Sequence, residues 1–308
     1  MDTTPKVAVT GASGFIGRAL VTDLEGAGHD VLRLVRREPA APSEVRWDPR
    51  GGTVDTAALA GVEAVFHLAG AGIGDHRWTS AYKREILDSR VIGTRTLAAA
   101  LAGMVTPPRV LVSSSGISYY GDTGNTVVDE SSPKGASFLA DVSAAWEEAA
   151  DPARAAGIRV VHARTSVVAG RGGGAFARLA PLARLGVAGR MGSGRQFWSL
   201  ISLADCVRAM RFVAETDAAS GPVNLVAVAA RNADVVAALA AAYHRPAVLP
   251  VPALAMRVGL GEMATEVLDS VRAQPSKLRK LGFRFEHPDL AAIAAYVAGR
   301  ARVTGRAS

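Results

Sequence analysis

The chain has little cysteine: Cys206 is the only one in 308 residues, which excludes an intramolecular disulfide and a metal site built from several thiolates. Cys206 falls in a helical pattern, residues 204–214, where a small buried apolar side chain is a better interpretation than a nucleophile. We therefore expect no metal. The sequence also lacks a charged-then-apolar leader and any apolar run long enough to span a bilayer, so we expect a cytoplasmic protein without membrane contact.

Acidic residues are absent from one long stretch, residues 152–204, although the whole chain contains 28 Asp and Glu. The stretch does contain arginines, namely Arg154, Arg159, Arg164, Arg171, Arg178, Arg184, Arg190 and Arg195. Such a block raises the local positive potential and would attract a phosphate-bearing small molecule, while a solvated basic face is the alternative. Despite the net charge of +7, this distribution predicts an anionic small-molecule partner rather than nucleic acid.

A glycine-rich segment follows the apolar run of residues 6–9 and carries the most specific signal in the chain. It contains Thr10, Gly11, Ala12, Ser13, Gly14, Phe15, Ile16 and Gly17. Glycines at this spacing let backbone N–H groups and a helix N-terminus approach a pyrophosphate, because a Cβ would block the approach. An ordinary glycine-rich turn is the alternative, but a predicted helix (16–27) and strand (31–35) complete a βαβ unit. All of these residues except Ala12 are therefore candidate dinucleotide contacts.

Candidate strands alternate with candidate helices over the first half of the chain. We predict strands over residues 45–48, 62–68, 109–112 and 159–163, and helices over residues 79–102 and 136–156. This alternation predicts an α/β fold, a Rossmann-type doubly wound parallel sheet with helices on both faces. Ligands gather at the carboxyl ends of such strands, where the sequence has Asp48, His67, Ser113, Ser114, Ser115 and Thr165.

The pattern changes after residue 167, where glycine-rich loops begin. We predict a dinucleotide-binding domain over residues 1–167, with residues 199–216 returning to it, and a smaller C-terminal α+β substrate lobe over residues 168–300. In the lobe we expect a strand at 223–226 and helices at 233–243, near 258–269 and at 290–298. Residues 301–308 are expected to be a disordered tail.

The residues after the second predicted strand decide the choice of cofactor. An acid that binds a ribose hydroxyl is expected about 20 residues beyond the glycine loop, and the chain has Arg33, Arg36 and Arg37 there instead. Arginine suits a 2′-phosphate, which a carboxylate would repel, so we predict NADP(H) with Arg36 as the main contact and Arg37 assisting. Further cofactor contacts are predicted at Asp48, near the adenine, and at Leu68, Ala69, Gly70 and Arg164.

These motifs together resemble the extended short-chain dehydrogenase/reductase superfamily, in its NAD(P)-dependent epimerase/dehydratase group. Further blocks carry the resemblance: Trp47-Asp48-Pro49, Phe66-His67-Leu68-Ala69-Gly70, Arg77-Trp78-Thr79, Ser89-Arg90-Val91, Ser113-Ser114-Ser115, Tyr119-Tyr120-Gly121-Asp122, Trp146-Glu147, residues 192–196, Pro275-Ser276-Lys277-Leu278 and Leu281-Gly282-Phe283. The Arg77 block and residues 192–196 are similar to a narrower sugar-nucleotide-epimerase-like family, sometimes labelled cell-division inhibitor, which ends in a domain of unassigned function.

The resemblance implies a Ser or Thr after the fifth strand and a Tyr-x-x-x-Lys on the next helix, whose lysine lowers the pKa of the tyrosine. Ser115 matches the first requirement. Alignment on Glu147 puts Leu139 and Ser143 where the tyrosine and lysine would fall. Tyr119 or Tyr120 would then be the substitute acid/base, unless both are core tyrosines with bonded hydroxyl groups.

Two functions from different classes remain open. One is an NADP(H)-dependent oxidoreductase or isomerase that acts on an anionic small molecule such as a nucleotide-linked sugar, with Arg190, Arg195 and Gln196 at the anionic end of the substrate. Arg195 could instead pair with an acid elsewhere in the fold. The other function is a sensor that binds NADP(H) and reports it to a partner without turnover. The resemblance also implies a homodimer as one option for the assembly.

Overall fold

A computed structural model describes residues 4–300, and a parallel sheet forms its centre. The strands are β1 (Lys6–Thr10), β2 (Asp30–Val35), β3 (Glu44–Asp48), β4 (Thr53–Val54), β5 (Val62–His67), β6 (Val110–Gly116), β7 (Val127–Val128), β8 (Arg159–Thr165), β9 (Val167–Ala169), β10 (Phe197–Ser202), β11 (Gly221–Leu225), β12 (Val228–Arg231) and β13 (Arg272–Ala273). Eight of them form the main sheet in the order β11-β8-β6-β5-β1-β2-β3-β4, in which only β4 runs antiparallel to its neighbour.

Helices cover both faces of this sheet. They are α1 (Phe15–Gly26), α2 (Ser80–Ala102), α3 (Phe138–Glu148), α4 (Asp151–Ala155), α5 (Gly174–Leu185), α6 (Leu203–Glu215), α7 (Asn232–Ala242), α8 (Ala253–Leu260), α9 (Thr265–Leu268), α10 (Ser276–Lys280) and α11 (Leu290–Ala298), with 3-10 turns at Ile117–Tyr120 and Gly261–Ala264. None of the helices within residues 4–300 is both long and apolar enough to cross a membrane.

The core lies on both sides of the main sheet because neighbouring strand residues point to opposite faces. On β5, Val65 packs in one buried cluster, with Leu97 of α2, and Phe66 packs in the other, with Leu20 of α1 and Met210 of α6. Each fully buried side chain of this size contributes about 1.5–3 kcal/mol by leaving water. The expected doubly wound α/β fold is therefore confirmed, and α6 packs against this core.

Three sequence predictions differ from the structure. The helix expected over residues 136–156 is two helices, since Pro152 lies in the first turn of α4 and has no N–H to continue α3. The helix expected near residues 258–269 is also divided, at Gly261, where φ is +62°. The strand assigned to the smaller lobe is β11, which pairs with β8 at the edge of the main sheet. The expected tail, residues 301–308, lies outside the described residues.

The smaller lobe contains a three-stranded sheet in the order β12-β10-β9, and it contacts the main domain through a shared buried apolar cluster and through polar bonds. Lys83 of α2 pairs with Glu262 at 2.8 Å, and Nη2 of Arg77 donates to the carbonyl oxygen of Val258 at 3.2 Å. Ser118, just after β6, donates through Oγ to Glu266 at 3.1 Å. The C-terminal segment is thereby held against the carboxyl end of β6.

Candidate functional site

Close packing of backbone explains the glycines between β1 and α1. Gly11 has φ +67°, and a Cβ on it would lie 2.8 Å from the carbonyl carbon of Leu68. A Cβ on Gly17 would lie 2.1 Å from the carbonyl oxygen of Gly11. Larger residues would therefore push α1 away from the ends of β1 and β5.

The N-terminus of α1 opens next to this loop and has no side-chain cap. Gly14 is its N-cap residue, and no side chain accepts a hydrogen bond from the first turn. The first N–H groups of a helix have no partner within the helix, and the helix dipole places positive charge there. An anionic group such as a pyrophosphate would satisfy these donors.

A cleft of about 820 Å³ runs along the carboxyl ends of β3, β2, β1 and β5. The structure places nine of the predicted cofactor residues on its lining: Gly11, Ser13, Gly14, Arg36, Arg37, Asp48, Leu68, Ala69 and Gly70. Asp48 also shapes the wall, because its Oδ1 accepts hydrogen bonds from the N–H groups of Arg50 (3.1 Å) and Gly51 (3.0 Å). The predicted contacts that do not line this cleft are Thr10, Phe15, Ile16, Gly17 and Arg164.

Thr10 lies beneath the loop instead, in a buried chain of hydrogen bonds. Its Oγ1 accepts from the N–H groups of Leu68 (3.1 Å) and Ala69 (3.2 Å) and lies 2.8 Å from Nδ1 of His67. Because both lone pairs of Oγ1 are used, we assign its proton to the bond with Nδ1. Nε2–H of His67 then donates to Oγ1 of Thr94, 2.9 Å away, and burial lowers the pKa of His67 to about 4. These hydrogen bonds hold the end of β5 against β1.

Most arginines at the β2 end of the cleft are paired with carboxylates. Arg33 pairs with Glu25 at 2.5 Å, Arg37 with Glu44 at 2.5 Å, and Arg50 with Glu85 at 2.5 Å. Arg36 is exposed and forms no ion pair with any residue of the described range 4–300. Arg36 is therefore the arginine of this group whose guanidinium is available to a ligand.

Arg164 belongs to a buried network beyond β6 rather than to the cleft. Its Nε and Nη2 donate to the two oxygens of Glu147 at 2.7 and 2.8 Å, and its Nη1 donates to the hydroxyl of Tyr120 at 3.0 Å. Ser115 donates through Oγ to the same Glu147 at 2.8 Å. The prediction that Arg164 contacts the cofactor is therefore wrong for this geometry, because Glu147 and Tyr120 already hold its guanidinium. The sequence alone does not reveal these two partners.

The two candidate tyrosines have different surroundings. Tyr120 is buried, and its hydroxyl donates to Oδ1 of Asn224 at 2.8 Å. Burial raises the pKa of Tyr120 to about 12, so that its phenol keeps its proton. Tyr119 is half-buried, its ring lies 3.5 Å from the guanidinium carbon of Arg164, and its hydroxyl makes no hydrogen bond with any residue of the described chain. Tyr119 is thus the better placed of the two for proton transfer.

The structure places Glu266, a residue that sequence analysis did not single out, near the end of β6. It accepts the hydrogen bond from Ser118 and is half-buried. Burial, with a smaller contribution from the charge of Asp269, raises the pKa of Glu266 to about 7. A carboxyl group that titrates near neutral pH can exchange protons with a ligand. No motif in the sequence marks Glu266, whose burial depends on the contact between α9 and the turn after β6.

The predicted substrate residues lie on a turn between α5 and β10. Nε2 of Gln196 donates to the carbonyl oxygens of Met191 (3.0 Å) and Val267 (3.2 Å), and Nη1 of Arg190 donates to the carbonyl oxygen of Ser193 (3.1 Å). These bonds hold the turn itself. Arg195 is exposed and forms no ion pair within residues 4–300, so its guanidinium is open to a ligand.

The acid-free stretch does not form one basic surface. Arg154, Arg159 and Arg164 pair with Asp151, Asp217 and Glu147, and Arg178 donates to the carbonyl oxygen of Gly74. The pairing acids come from outside the stretch, and for this reason the charge pattern along the sequence overstates the local positive potential.

Within residues 4–300, one three-residue group has spacing that could hold a metal ion: Asp205, Glu286 and His287. The carboxylate of Asp205 already accepts hydrogen bonds from the N–H groups of Glu286 (2.9 Å) and His287 (2.8 Å) and from Arg208 (2.7 Å). These bonds join the start of α6 to the segment before α11, so a structural role explains the group.

Sequence analysis missed the wall of the cleft that α2 provides. This wall is formed by Glu85, Asp88, Ser89, Ile92 and Gly93. Oγ of Ser89 accepts a hydrogen bond from the N–H of Ala71 at 3.0 Å. This bond joins α2 to the segment after β5. The block Ser89-Arg90-Val91 was available as a signal, but the side of the helix that faces the cleft depends on how α2 packs.

Comparisons with known proteins agree with this geometry. A profile of the NAD dependent epimerase/dehydratase family matches residues 7–229, and a profile of a domain of unknown function, DUF1731, matches residues 251–296. An epimerase family protein of Mycobacterium bovis is 43% identical over 298 residues, covering 96% of this chain and 98% of the relative.

Solved structures give the same result. The human epimerase family protein SDR39U1, crystallised with NADPH, has a TM-score of 0.87 at 31% identity, covering 96% of this chain and 99% of that chain. A nucleoside-diphosphate sugar epimerase of Corynebacterium glutamicum has a TM-score of 0.79 at 32% identity, covering 96% of this chain and 59% of that chain. The likeness thus extends over the main sheet and the smaller lobe together.

Proposed function

Because the chain belongs to the NAD dependent epimerase/dehydratase family, we propose that it binds NADP(H) and acts as an epimerase-like oxidoreductase or isomerase on an anionic small molecule. The observation that carries the cofactor choice is Arg36, exposed at the β2 end of the cleft and without an acidic partner in residues 4–300. A guanidinium in that position suits a 2′-phosphate. The NADPH found with the human relative supports the choice.

The residues present suit a dinucleotide along the whole cleft. The uncapped N-terminus of α1 and the loop from Gly11 to Gly14 would hold the pyrophosphate, and Arg36 would hold the 2′-phosphate with assistance from Arg37. Asp48 lies at the β3 wall, on the adenine side. Bound there, the dinucleotide supplies hydride transfer, and the chain must supply the proton transfer.

Proton transfer cannot follow the usual pair, because Leu139 and Ser143 occupy its aligned positions. Leu139 is buried in an apolar cluster with Ile86 and Val142, and its own side chain can neither donate nor accept a proton. Ser115 would hydrogen-bond a substrate oxygen, with its orientation set by Glu147. Tyr119, rather than Tyr120, would be the acid/base, and Glu266 is a second candidate.

The proposed substrate is a nucleotide-linked sugar or a similar anion. Arg195 supports this class, because a free guanidinium binds phosphate or carboxylate through two parallel bonds. The name of the Corynebacterium glutamicum protein, a nucleoside-diphosphate sugar epimerase, gives further support. Arg190 and Gln196 would contribute by holding the turn that presents Arg195.

The alternative function is a sensor that binds NADP(H) without turnover. Leu139 and Ser143 at the aligned positions favour it, because neither side chain supplies the usual acid/base. The two functions separate in one experiment: purified protein with bound NADPH is mixed with a pool of nucleotide sugars and carbonyl metabolites, and NADPH fluorescence is followed. Steady oxidation that falls in Tyr119→Phe or Glu266→Gln supports the enzyme. Tight NADPH binding with no oxidation supports the sensor, and failure to bind either reduced cofactor contradicts both.

A further inference from the structure

A second cavity, of about 620 Å³, lies between the helices α1, α6 and α11. The loop after β9 contributes Arg171 and Gly172 to it. Its lining shares no residue with the lining of the cleft that we assign to the dinucleotide. A volume of this size is typical of small-molecule sites. The proposed function does not use this cavity, so its chemistry has to be considered separately.

The walls of the second cavity are mostly apolar. Helix α1 supplies Phe15 and Ala19, helix α6 supplies Leu203 and Val207, and helix α11 supplies the ring of Tyr296. Ligand sites of this kind enclose an apolar body and fix its orientation through a few polar groups. The lining therefore fits a compact aromatic or branched aliphatic molecule better than a sugar with many hydroxyl groups.

Both carboxylates on this lining already have arginine partners. Oδ2 of Asp23 accepts a hydrogen bond from Nε of Arg211 at 2.8 Å. Oε1 of Glu286 lies 3.3 Å from Nε of Arg208, which also lines the cavity. The negative charges of the lining are thus balanced within the protein, and they leave the other arginines of the cavity without an acid.

Two exposed arginines on the lining, Arg18 and Arg171, form no ion pair with any residue of the described range 4–300. Nη1 of Arg18 donates to the carbonyl oxygen of Ser13 at 2.7 Å. The guanidinium of Arg171 lies against Gly299 at the end of α11, where a Cβ would collide with it. The cavity therefore combines apolar walls with two positive charges that an anionic group would balance.

The glycine-rich segment after β9 brings one of these charges to α1. A Cβ on Gly170 would lie 2.8 Å from Cζ of Phe15, and a Cβ on Gly173 would collide with the same ring. Larger residues at these two positions would push the segment, and Arg171 within it, away from α1. The glycines thus keep Arg171 beside the aromatic wall that Phe15 forms.

We propose that this cavity is a second ligand site, which binds a small organic anion with an aromatic or branched aliphatic body. Arg18 and Arg171 bind the carboxylate or sulfonate of the ligand, and the side chains of α1 and α6 enclose its body. The site is independent of the proposed function, because the cavity and the dinucleotide cleft share no lining residue.

Two fluorescent probes that differ in charge test the proposal by binding alone. Anilinonaphthalene sulfonate carries an aromatic body and one negative charge, whereas phenylnaphthylamine has the same aromatic body without the sulfonate. Dissociation constants of both probes are measured for the wild type, Arg18→Ala, Arg171→Ala and Ala19→Trp, with and without an excess of NADP⁺. Arg279→Ala is the matched control, because Arg279 is an exposed arginine that does not line the cavity and forms no ion pair within residues 4–300.

We expect Arg18→Ala and Arg171→Ala each to weaken sulfonate binding about 10-fold, as for the loss of a hydrogen bond to a charged group, and to leave the amine unchanged. Ala19→Trp should weaken both probes, because the indole would fill the apolar space. Arg279→Ala should change neither affinity. If Ala19→Trp does not fold, the arginine variants still decide, because both arginines are exposed. The proposal would be overturned if both arginine variants kept full sulfonate affinity, if they weakened the two probes equally, or if NADP⁺ displaced the sulfonate.

Discussion

Arg164 and Glu147 form a buried ion pair with two parallel hydrogen bonds, from Nε to Oε1 at 2.7 Å and from Nη2 to Oε2 at 2.8 Å. The side chains are 4% and 12% exposed, so solvent screens the pair little. The pair joins β8 to α3, and each partner also holds a residue of the candidate site: Glu147 accepts from Ser115, and Arg164 donates to Tyr120. Removing either charge should therefore affect both stability and the site.

Glu147→Gln leaves the cation of Arg164 buried without a carboxylate. We expect a loss of about 3–5 kcal/mol in the free energy of unfolding, the range for breaking one side of a buried pair. Urea denaturation at neutral pH measures it. The neighbouring exposed Glu148 offers the matched control, and Glu148→Gln should stay within about 0.5 kcal/mol of the wild type. Equal effects of the two variants would show that the pair contributes nothing specific.

Tyr120→Phe and Tyr119→Phe should separate structure from chemistry. Removing the hydroxyl of Tyr120 leaves Oδ1 of Asn224 and Nη1 of Arg164 without a partner, so we expect a loss of about 1–3 kcal/mol in stability. Tyr119→Phe keeps the ring on Arg164 and removes a hydroxyl that bonds to no described residue, so stability should hardly change. Thermal unfolding of both variants checks this. The opposite order of stabilities would mean that the roles of the two tyrosines are reversed.

His67 predicts a specific dependence of stability on pH. Burial lowers its pKa to about 4 in the folded state, whereas the unfolded chain binds a proton near pH 6.5, so the unfolded state holds more protons between these values. Stability is then fully present above about pH 6.5 and is lost as the pH falls toward 4, by about 3 kcal/mol from this group. The pKa of His162 is also lowered by burial and acts in the same direction.

Comparison with His67→Gln isolates this contribution. Carboxylates such as Glu44, whose pKa is about 2 because of Arg37, titrate equally in the wild type and in His67→Gln. Their contribution to the change in stability therefore cancels when the two proteins are compared. Urea denaturation at pH 7 and pH 4.5 should show the wild type losing about 2–3 kcal/mol more than the variant. Parallel losses would mean that His67 accepts a proton without leaving its buried position.

The fold follows from local patterns more than the site does. The β1–α1–β2 unit is predicted because apolar periodicity and glycine spacing are properties of neighbouring residues. The position of β11 in the sheet is not predicted, because its pairing with β8 depends on a segment far away in the sequence. The break between α3 and α4 had a local signal in Pro152, and an alanine-rich sequence with high helix propensity concealed it.

The residues of the site also fall into two groups, those with a local signal in the sequence and those without one. Gly11, Gly14 and Arg36, which we predicted as cofactor contacts, line the cleft. Their signals, close backbone approach and a missing acid, are visible along the chain. Thr10 and Arg164 were assigned to the cofactor, yet His67 and Glu147 hold them in the fold. Partners of this kind come from other strands and helices, and a polar residue at a strand end does not reveal whether it faces a ligand or a neighbour.

The central claim, NADP(H) in the cleft with Arg36 on its 2′-phosphate, is tested most directly by fluorescence titration of NADPH and NADH against the wild type, Arg36→Ala and Arg37→Ala. The wild type should prefer NADPH, and Arg36→Ala should weaken NADPH about 10- to 100-fold while leaving NADH unchanged. Arg37→Ala should have a smaller effect, because Glu44 already holds that guanidinium. Equal wild-type affinities, or full NADPH affinity in Arg36→Ala, would contradict the account.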